Sequence, residues 1–550
     1  MSAPLVRVRD LSVRFGDTTA VEGIGFDLEP GRCVALVGES GSGKSVTGRS
    51  LLGLAGRNAH VEAAELSLDG RDLLSLDETT WRGIRGDEIG LVLQDALVSL
   101  DPLVRVGAQV ADPLRVHSRM PRADRERRAR ELLADVGVPE PEVRASQFPH
   151  ELSGGLRQRA LIASAVAASP RVLIADEPTT ALDVTVQAQV LELLGRLRAR
   201  GTALLLISHD LAVVGSIADE ILVLREGRVV ERGPAARVLH DPQADYTREL
   251  LAAVPSAASR GSRLSSQPVT VFAERASAPG WAQADGTAAP QAAAPALRAE
   301  GLVKTYRQPD GARVRVVDDV SFSVARGGAL GVVGESGSGK STTAGIVLGL
   351  VEPDAGTVEL DGEAWVPLPE RRRRPRRHRI QVISQDPLGS FDPRADVAAL
   401  VGEALGTAGA PRRDRRERTA QLLEQVGLSA GLLSRHPLEL SGGQRQRVAI
   451  CRALAVEPEI LVCDEPVSAL DVSVQAQVLD LLADLRAQLH VSLLFISHDL
   501  GVIRHVADDV VVMRHGRVVE SGPTETVFDA PQHAYTRELI AAIPVLAPRP

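Results

Sequence analysis

One eight-residue stretch occurs twice in this chain and constrains its fold more than any other feature. Residues 38–45 and 334–341 both read Gly-Glu-Ser-Gly-Ser-Gly-Lys-Ser, which fits the Walker A pattern G-x-x-x-x-G-K-[ST]. An apolar run precedes each copy, at residues 33–37 and 329–333, and is typical of a buried parallel strand. Such a glycine-rich turn directs backbone N–H groups at phosphate oxygens. Two copies therefore predict two nucleotide-binding sites rather than a chance glycine-rich turn.

The residues of both loops are candidate ligands of ATP. We expect Lys44 and Lys340 to contact the β- and γ-phosphates, and the hydroxyls of Ser45 and Ser341 to bind Mg²⁺. The chain has only three lysines, and arginine cannot replace a compact ammonium in such a loop. The candidate ATP-binding residues of the loops are Gly38, Glu39, Ser40, Gly41, Ser42, Gly43, Lys44, Ser45, Val46, Gly334, Glu335, Ser336, Gly337, Ser338, Gly339, Lys340, Ser341 and Thr342.

The two halves of the chain are an internal duplication. The two Walker A lysines are 296 residues apart, and Asp176 and Asp464, which lie in a second repeated motif, are 288 apart. A nearly constant offset indicates the same fold built twice. We predict a first domain at residues 1–255 and a second at residues 296–550. Residues 256–295 are rich in Ala, Pro and Ser, which predicts a flexible linker between them.

Composition and charge exclude several other classes of protein. A net charge of −8 disfavours a general nucleic-acid binder, and no apolar run approaches the about 20 residues that span a bilayer. The first residues lack the apolar region of a signal peptide. The three cysteines lie in apolar surroundings without paired spacing, which favours buried reduced thiols over disulfides or ligands. We therefore expect a soluble cytosolic protein.

The second repeated motif is an apolar strand that ends in two carboxylates and a proline. It reads Leu-Ile-Ala-Asp-Glu-Pro at residues 173–178 and Leu-Val-Cys-Asp-Glu-Pro at residues 461–466, which is a Walker B arrangement. Asp176 and Asp464 are placed to hold Mg²⁺, directly or through water. Glu177 and Glu465 are the candidate general bases that polarise the attacking water.

A third repeated motif, Leu-Ser-Gly-Gly-x-x-x-Arg, occupies residues 152–159 and 440–447. A serine before two glycines predicts an exposed helix N-terminus with free N–H donors. The motif resembles the signature sequence of ATP-binding-cassette (ABC) ATPases. In that family the signature of one cassette covers the γ-phosphate held by the other, which implies a head-to-tail pair with two composite sites. The signature residues implied to contact ATP are Ser153, Gly154, Gly155, Ser441, Gly442 and Gly443.

The resemblance covers nearly the whole chain outside residues 256–295 and assigns further residues. Gln94 and Gln385 match the Q-loop glutamine, which in the family touches Mg²⁺ and the attacking water in a loop beside the membrane partner. His209 and His498, each in Ile-Ser-His-Asp after an apolar strand, match the switch histidine that contacts the γ-phosphate. We therefore count both histidines, with both Walker A lysines and both Walker B glutamates, among the catalytic residues.

Two further elements of the family match this sequence. Asp183 and Asp471, each in Ala-Leu-Asp, match the D-loop that crosses the dimer seam. Phe15 and Tyr306 lie where the family places an aromatic ring against adenine, although a core aromatic is the alternative for both. The resemblance implies an α/β fold in which two tandem P-loop domains each have a parallel core, an antiparallel β-subdomain and a helical insert near residues 100–150 and 390–440.

Both halves end in a similar tail that narrows the resemblance. Pro-Gln-x-x-Tyr-Thr-Arg-Glu-Leu stands at residues 242–250 and 531–539, and is similar to the Pro-x-His-Pro-Tyr-Thr extension of peptide/nickel importers. The first tail lacks the His and the Pro, and the second keeps His533 but has Ala534 for the Pro. Some members carry an iron–sulfur cluster near the carboxyl end, but neither tail has a cysteine, so none is predicted.

The resemblance implies the ATP-hydrolysing subunit of an importer, with ATP and Mg²⁺ as cofactors. The implied partners are two integral-membrane permeases and an extracytoplasmic solute-binding protein, and the implied location is the cytoplasmic face of the membrane. The sequence does not identify the solute among dipeptides, oligopeptides, glutathione and nickel.

The rival interpretation is a soluble tandem cassette that acts on ribosomes or nucleic acid. Such proteins carry a long charged helical linker or zinc-binding cysteines, which this sequence lacks. The arginine-rich run at residues 371–379 could bind nucleic acid or anionic lipid, but we favour a solvated surface loop.

Overall fold

The computed structural model describes residues 3–93, 99–180, 182–265, 294–307, 311–468 and 470–543. The chain divides into two compact units, built on residues 1–251 and 252–541. Each unit contains one cassette of the α/β fold that the sequence predicts. The domain bounds at residues 255 and 296 stay predictions, and residues 266–293 of the predicted linker lie outside the described part of the chain.

The first cassette has a small antiparallel sheet and a larger, mostly parallel core sheet. The antiparallel sheet has the order β2-β1-β5-β6, with β4 also paired to β1, and the core sheet has the order β11-β10-β3-β9-β8-β7. Only β11 is antiparallel to its neighbour in the core sheet. The strands are β1 (Val6–Phe15), β2 (Thr18–Leu28), β3 (Cys33–Val37), β4 (Ala59–Glu62), β5 (Glu65–Leu68), β6 (Arg71–Asp72), β7 (Ile89–Val92), β8 (Val172–Asp176), β9 (Ala203–Ile207), β10 (Glu220–Arg225) and β11 (Arg228–Pro234).

Parallel pairing brings the motifs of the first cassette to one edge of the core sheet. Every residue of β3, β8 and β9 is buried, as expected for strands covered on both faces. The Walker A loop follows β3, and the Walker B carboxylates end and follow β8. In the register of β8 with β9, Asp176 lies opposite Ile207, two residues before His209. The carboxyl ends of the three strands thus gather the phosphate loop, two carboxylates and the histidine.

The helices of the first cassette include the predicted helical insert. Among the described residues between β7 and the signature motif, the insert includes the helices Val106–His117, Arg122–Asp135 and Pro141–Ser146. The helix Arg122–Asp135 buries only Ala129, Leu132 and Leu133 among many charged residues. The helices span Lys44–Ser50, Glu78–Ile84, Val106–His117, Arg122–Asp135, Pro141–Ser146, Gly154–Ala165, Val184–Ala199, Leu211–Ile217, Ala235–His240 and Asp245–Ala252, with a 3₁₀ turn at Pro149–Glu151.

The second cassette repeats this architecture. Its antiparallel sheet has the order β13-β12-β15-β16 and its core sheet the order β17-β18-β19-β14-β20-β21. The strands are β12 (Leu297–Arg307), β13 (Arg313–Val324), β14 (Ala329–Val333), β15 (Ala355–Leu360), β16 (Glu363–Val366), β17 (Ile380–Ile383), β18 (Ile460–Asp464), β19 (Ser492–Ile496), β20 (Asp509–Arg514) and β21 (Arg517–Pro523). The same strand order around the Walker A strand confirms the duplication.

The helices of the second cassette occur in a similar order along the chain, with the helical insert between β17 and the second signature. They span Lys340–Val347, Glu370–Arg373, Pro387–Ser390, Val397–Thr407, Arg415–Gln425, Gly442–Leu454, Val472–Leu489, Leu500–Val506, Thr524–Asp529 and Ala534–Ala541. Further 3₁₀ turns lie at Arg374–Arg379, Ala430–Leu432 and Pro437–Glu439.

The arginine-rich run is more ordered than the solvated surface loop that the sequence favours. Residues 371, 372 and 374 are exposed, but the run forms a helical turn around Trp365, which is fully buried and donates its indole N–H to the carbonyl of Val347 at 2.9 Å. The guanidinium groups of residues 373, 376 and 377 lie 5.9 Å from the centre of the Trp365 ring. Arg377 and Arg379 pair with Glu370 and Glu459. Part of the run therefore stabilises this corner of the cassette through ion pairs and cation–π contacts.

Residues 255–265 contact the second cassette. The carboxylate of Asp480, which is only 3% exposed, accepts hydrogen bonds from the backbone N–H groups of Leu264 and Ser265, both at 2.9 Å. Arg263 pairs with Asp484, and Arg260 pairs with Glu525. A buried carboxylate and two ion pairs therefore fix this segment to the second unit.

The three cysteines are all free and buried, as the sequence predicts. Burial, with a smaller contribution from the nearby Asp464 carboxylate, raises the pKa of the Cys463 thiol to about 12. Among the residues that the structure describes, no helix is both long and apolar enough to cross a membrane.

Candidate functional site

Each Walker A loop folds around its lysine. The Nζ of Lys44 donates to the carbonyls of Gly38 and Glu39, both at 2.7 Å, and the Nζ of Lys340 makes the same two contacts in the second loop at 2.7 and 2.8 Å. Both lysines are buried, 7% and 6% exposed. Gly38 has φ 150°, and a Cβ there would lie 2.2 Å from the carbonyl oxygen of Leu224. Only glycine therefore fits the start of the loop.

The residues of the first cassette that were expected to hold Mg²⁺ lie together. The Ser45 hydroxyl donates to Oδ1 of Asp176 at 2.8 Å, and Asp176 is 1% exposed. Its Oδ2 has no hydrogen-bond partner and lies 3.9 Å from the Arg49 guanidinium. Burial raises the pKa of Asp176 above its usual range, against the hydrogen bond from Ser45. The Ser45 hydroxyl and the Asp176 carboxylate, whose Oδ2 is buried and has no hydrogen bond, together form a set of oxygen ligands that suits Mg²⁺.

The second cassette presents the same pair. Burial and the neighbouring Glu465 raise the pKa of Asp464, while a hydrogen bond from Ser341 lowers it. Oδ1 of Asp464 is buried without a hydrogen-bond partner. The residues of both cassettes therefore fit a hard divalent cation that would be completed by phosphate oxygens and water.

The candidate general base of the first cassette is bound to its histidine. The carboxylate of Glu177 is 2.6 Å from Nδ1 of His209 and accepts a hydrogen bond from the Thr180 hydroxyl at 2.6 Å. Burial favours the protonated form, but the contacts with His209 and Thr180 and the charge of Lys44 outweigh it and lower the pKa of Glu177. The carboxylate is thus held ionised in a site where it is only 7% exposed.

The second cassette has the same pair of a glutamate and a histidine, and a glutamine side chain contacts this glutamate. Nδ1 of His498 lies 3.2 Å from Oε2 of Glu465, and the side-chain amide of Gln385 donates to the same oxygen at 3.0 Å. Burial raises the pKa of Glu465, yet the contacts with His498 and the charge of Lys340 give a net lowering. Burial lowers the pKa of His498, but the contact with Glu465 gives a net rise. The pair is therefore stabilised in its charged form.

Both glutamates adopt a backbone conformation that is uncommon outside glycine. Glu177 has φ 53° and Glu465 has φ 49°, and a proline follows each of them. Non-glycine residues in this left-handed region are strained by about 1–3 kcal/mol and concentrate at functional sites. The repeated strain indicates that the backbone turn sets the direction of the carboxylate.

Some of the predicted loop residues lie outside the described part of the chain. These are Gln94 of the first Q-loop and the alanines at 181 and 469 of the D-loops. The D-loop aspartate Asp183 caps the helix Val184–Ala199, because its carboxylate accepts the N–H of Val186 at 2.9 Å. Asp471 is the N-cap residue of the helix Val472–Leu489. Both D-loops thus end at a helix N-terminus.

Both signature motifs open a helix as the sequence predicts. The hydroxyl of Ser153 accepts the N–H of Leu156 at 3.4 Å, and that of Ser441 accepts the N–H of Gln444 at 3.2 Å. A Cβ on Gly155 would lie 2.8 Å from a Val186 methyl, and one on Gly443 would lie 2.3 Å from Val474. The last glycine of each signature therefore leaves no room for a side chain.

The two candidate adenine-stacking rings differ in exposure. Phe15 is partly buried against the core of the first cassette, whereas Tyr306 is 41% exposed, with Nζ of Lys304 5.6 Å from its ring centre. The open face suits Tyr306 for stacking on a base. The core alternative stays open for Phe15.

Both loops also contact the C-terminal tails, which the sequence motifs did not predict. The backbone N–H of Glu39 donates to the hydroxyl of Tyr246, and that of Glu335 donates to the hydroxyl of Tyr535. The chain has only three tyrosines, and two of them occupy the same position in the two tails. That repetition was a signal that could have linked the tails to the site.

Sequence comparisons match both halves of the chain. A family profile described as ABC transporter matches residues 21–180 and 317–468. A second profile, described as oligopeptide/dipeptide transporter, C-terminal region, matches residues 230–280 and 519–550. The second profile covers both tails.

Three relatives match the chain over nearly its full length. The Peptidoglycan transport ATP-binding protein YejF of Agrobacterium fabrum is 45% identical, with 98% of this chain and 96% of the relative covered. The Oligopeptide transport ATP-binding protein OppD of Mycobacterium tuberculosis is 43% identical, with 98% of both covered. The Glutathione import ATP-binding protein GsiA of Escherichia coli K12 is 41% identical, with 96% and 87% covered.

Among solved structures, a likeness extends over both units. A crystal structure of archaeal ribosome recycling factor aABCE1 in complex with the ribosomal stalk protein aP1 covers 94% of this chain and 90% of that chain, with a TM-score of 0.60 and 20% identity. At this identity the likeness supports the fold alone.

Proposed function

Because this chain belongs to the ABC transporter family and carries two of its ATPase cassettes, we propose that it is the ATP-hydrolysing subunit of an importer. The cargo is a peptide or a related small solute, in the range of dipeptides, oligopeptides, glutathione and nickel. The observation that carries the proposal is the pair of tails that match the oligopeptide/dipeptide transporter region, each attached to a cassette with its own Walker residues.

Both cassettes are proposed to hydrolyse ATP. Each has a buried Walker A lysine, a serine beside a buried aspartate, and a glutamate paired with a histidine. Many tandem cassettes of this family have one degenerate site. Neither cassette has lost a group of this set.

Each described side chain has a distinct part in the proposed reaction. The lysine would leave the loop carbonyls to neutralise phosphate charge, and the serine and aspartate would hold Mg²⁺. Bound Mg²⁺ would neutralise charge on the β- and γ-phosphate oxygens. Glu177 and Glu465 polarise the attacking water, and His209 and His498 orient those carboxylates. The lowered pKa of both glutamates keeps the base ionised at neutral pH.

The signature motifs extend the proposal to pairing of the cassettes. The signature serine and glycines of each cassette are proposed to contact the γ-phosphate of the nucleotide held by the other. ATP binding then closes the pair and hydrolysis reopens it. The helix N-terminus behind each signature offers N–H donors for that phosphate.

The proposed partners are two integral-membrane permeases and an extracytoplasmic solute-binding protein. The location that follows is the cytoplasmic face of the cell membrane, with the chain bound to the permeases. The separate binding protein and the permeases select the solute. A cassette chain of this kind therefore supplies energy and not specificity.

The test is co-purification of a tagged full-length chain from membranes, with ATPase activity measured on the recovered complex. We expect two integral-membrane proteins, and a rise in activity when a loaded solute-binding protein is added. The control is the Lys44→Ala/Lys340→Ala double variant, which should recover the same permeases without activity. Recovery of ribosomes or nucleic acid without a permease would overturn the import proposal and leave the ATPase intact.

A further inference from the structure

Each C-terminal tail reaches the Walker A loop of its own cassette through a tyrosine hydroxyl. The N–H of Glu39 donates to the hydroxyl of Tyr246 at 3.3 Å, and the N–H of Glu335 donates to the hydroxyl of Tyr535 at 3.1 Å. Both tyrosines are buried, 7% and 1% exposed. Glu39 and Glu335 are the second residues of the two loops. The same contact thus occurs in both halves at the same loop position.

Two contacts with the core sheet fix Tyr246 of the first tail in place. The carboxylate of Glu231, on β11, accepts the N–H groups of Gln243 and Ala244 at 2.9 and 3.0 Å, which fixes the chain just before the tyrosine. The guanidinium of Arg225, at the end of β10, lies 4.8 Å from the centre of the Tyr246 ring. Both contacts come from core strands, so the position of the ring is fixed relative to the core sheet.

The second tail is built in the same way. The carboxylate of Glu520 accepts the N–H groups of Gln532 and His533 at 2.7 and 3.0 Å, and the guanidinium of Arg514 lies 4.4 Å from the Tyr535 ring centre. The two tails differ at the residues between Gln and Tyr, Ala-Asp in one and His-Ala in the other. The anchoring contacts are kept although the intervening residues are not.

The loop residue that the tyrosine contacts is also the one that the lysine contacts. The carbonyl of Glu39 accepts Nζ of Lys44 at 2.7 Å, while its N–H is bound to Tyr246. The carbonyl and N–H of Glu335 are bound in the same way by Lys340 and Tyr535. A lysine that moves to bind phosphate gives up its carbonyl contact, whereas the tyrosine contact lies on the other side of the residue. The tyrosine can therefore hold the loop in place while the lysine changes partner.

We propose that Tyr246 and Tyr535 are positioning residues that keep each phosphate-binding loop open for ATP, so that the C-terminal tail sets the nucleotide affinity of its own cassette. The hydroxyl fixes the second residue of the loop before the nucleotide arrives, which lowers the ordering cost of binding. The proposal rests on ATP binding by each cassette and not on which solute is imported. By linkage, a bound nucleotide also stabilises the tail.

The experiment compares Tyr246→Phe, Tyr535→Phe and the double variant with the wild-type full chain. Phenylalanine keeps the ring and its contact with the arginine but removes the hydroxyl. We expect the double variant to raise the KM for MgATP and the Kd of a fluorescent ATP analogue about two- to tenfold, the range for one neutral hydrogen bond. The kcat should be unchanged, because the glutamate and histidine pairs are untouched.

Hydrogen exchange directly measures the coupling between the C-terminal tail and the phosphate-binding loop. In the wild-type chain, the ATP analogue should slow exchange in the helix Asp245–Ala252, and this slowing should be smaller in Tyr246→Phe. Exchange in the peptide that contains residues 38–43 should be faster in that variant before nucleotide is added. These two effects report contact between tail and loop in both directions.

The matched control is Thr524→Val, which removes a buried hydroxyl from the same region of the second cassette. That hydroxyl donates to the carbonyl of Ala507 at 2.9 Å. We expect Thr524→Val to lower the melting temperature without a change in KM. If the double tyrosine variant behaves like this control, or if its KM, Kd and exchange equal those of the wild-type chain, the tyrosines are structural and the proposal is wrong. A lower kcat at unchanged KM would overturn it as well.

Discussion

The side-chain amide of Gln385 donates a hydrogen bond to Oε2 of Glu465 at 3.0 Å. The Q-loop glutamine thus contacts the candidate general base of its own cassette. Since a hydrogen bond to a charged group contributes about 1.5–3 kcal/mol, we expect Gln385→Ala to lower turnover at the second site about tenfold or more. The measurement is steady-state ATP hydrolysis in the Glu177→Gln background, in which the second site alone is active.

Gln381 provides a matched control for this variant. It lies four residues earlier on β17, and within the described part of the chain its amide donates to the backbone carbonyls of Arg377 and Ile380. We expect Gln381→Ala to leave turnover unchanged. Equal activity of Gln385→Ala and Gln381→Ala would show that the contact with Glu465 has no catalytic role.

The general-base assignment predicts a separation of binding from hydrolysis. Glu177→Gln and Glu465→Gln should each retain ATP binding, because the substitutions leave the Walker A lysines and serines in place. Loss of a general base costs about 10²–10⁴-fold in rate, so the double variant should lose nearly all turnover. Fluorescent-nucleotide binding and phosphate release measure the two quantities separately. Undiminished hydrolysis in the double variant would exclude both carboxylates as bases.

The pair of Glu465 and His498 predicts a pH dependence of stability. The pKa of Glu465 is lowered, so its contribution is present above its unfolded value of about 4.3 and is lost as the pH falls through the folded value. The pKa of His498 is raised, so its contribution is present below its unfolded value of about 6.5 and is lost as the pH rises through the folded value. Both contributions are therefore complete between about pH 4.3 and 6.5.

Melting temperatures of His498→Gln test this dependence. We expect the deficit relative to wild type to be largest near pH 6 and to shrink as the pH is raised through the raised pKa of His498. The control is His378→Gln at an exposed histidine of the same cassette, which should show no such trend. A deficit that is constant over the whole range would mean that the charged pair does not contribute.

The buried carboxylate of Asp480 predicts that residues 264 and 265 stabilise the second cassette. Asp480→Ala leaves the N–H groups of Leu264 and Ser265 without their acceptor, which should lower the free energy of unfolding by about 2–3 kcal/mol. The control is Glu192→Ala, 288 residues earlier at the matching position, where the side chain is 69% exposed and pairs with Arg196. It should change stability by less than about 0.5 kcal/mol.

Denaturant unfolding of the full chain measures the stability of both variants, with one unfolding transition expected for each cassette. Asp480→Ala should shift only one transition, that of the second cassette. Equal shifts for the two variants would mean that the contact with residues 264 and 265 is not a stabilising one.

Substitutions in and beside the arginine-rich run should differ strongly in their effect on stability. Trp365→Ala removes a fully buried ring and its hydrogen bond to Val347, and should cost about 3–5 kcal/mol of unfolding free energy. A triple substitution of the exposed Arg371, Arg372 and Arg374 by glutamine should change stability by less than about 0.5 kcal/mol. Thermal unfolding checks both. A large effect of the triple variant would assign the exposed arginines a role that their contacts do not indicate.

Much of the site could be predicted from the sequence because the motifs follow buried strands. The apolar runs before Lys44 and Lys340 correspond to β3 and β14, and parallel pairing then places Asp176 and Asp464 beside the loops. An apolar strand of that kind has a strong local signal. The order of the strands around the Walker A strand is the same in both cassettes.

Other contacts could not be predicted because they join residues far apart in sequence without a local signal. The hydroxyl of Tyr246 meets a loop 207 residues earlier, and Asp480 meets backbone groups 216 residues earlier. For the arginines around Trp365 the sequence favours a solvated loop, since charge runs are usually exposed. In the structure three of these guanidinium groups lie against the Trp365 ring, and Arg379 pairs with Glu459, which is 80 residues later in the chain.

The small number of lysines gives amine labelling of this chain a simple readout. Lys44 and Lys340 lie inside the phosphate loops, and the remaining lysine, Lys304, is held by the carbonyl of Glu352 and by Asp354. An amine-reactive reagent therefore meets one lysine in each phosphate loop, which bound ATP would shield, and a third lysine beside the candidate adenine-stacking ring of Tyr306. Since different sequences flank the two loops, mass spectrometry of the labelled peptides counts the occupancy of each nucleotide site separately, in one chain and one experiment.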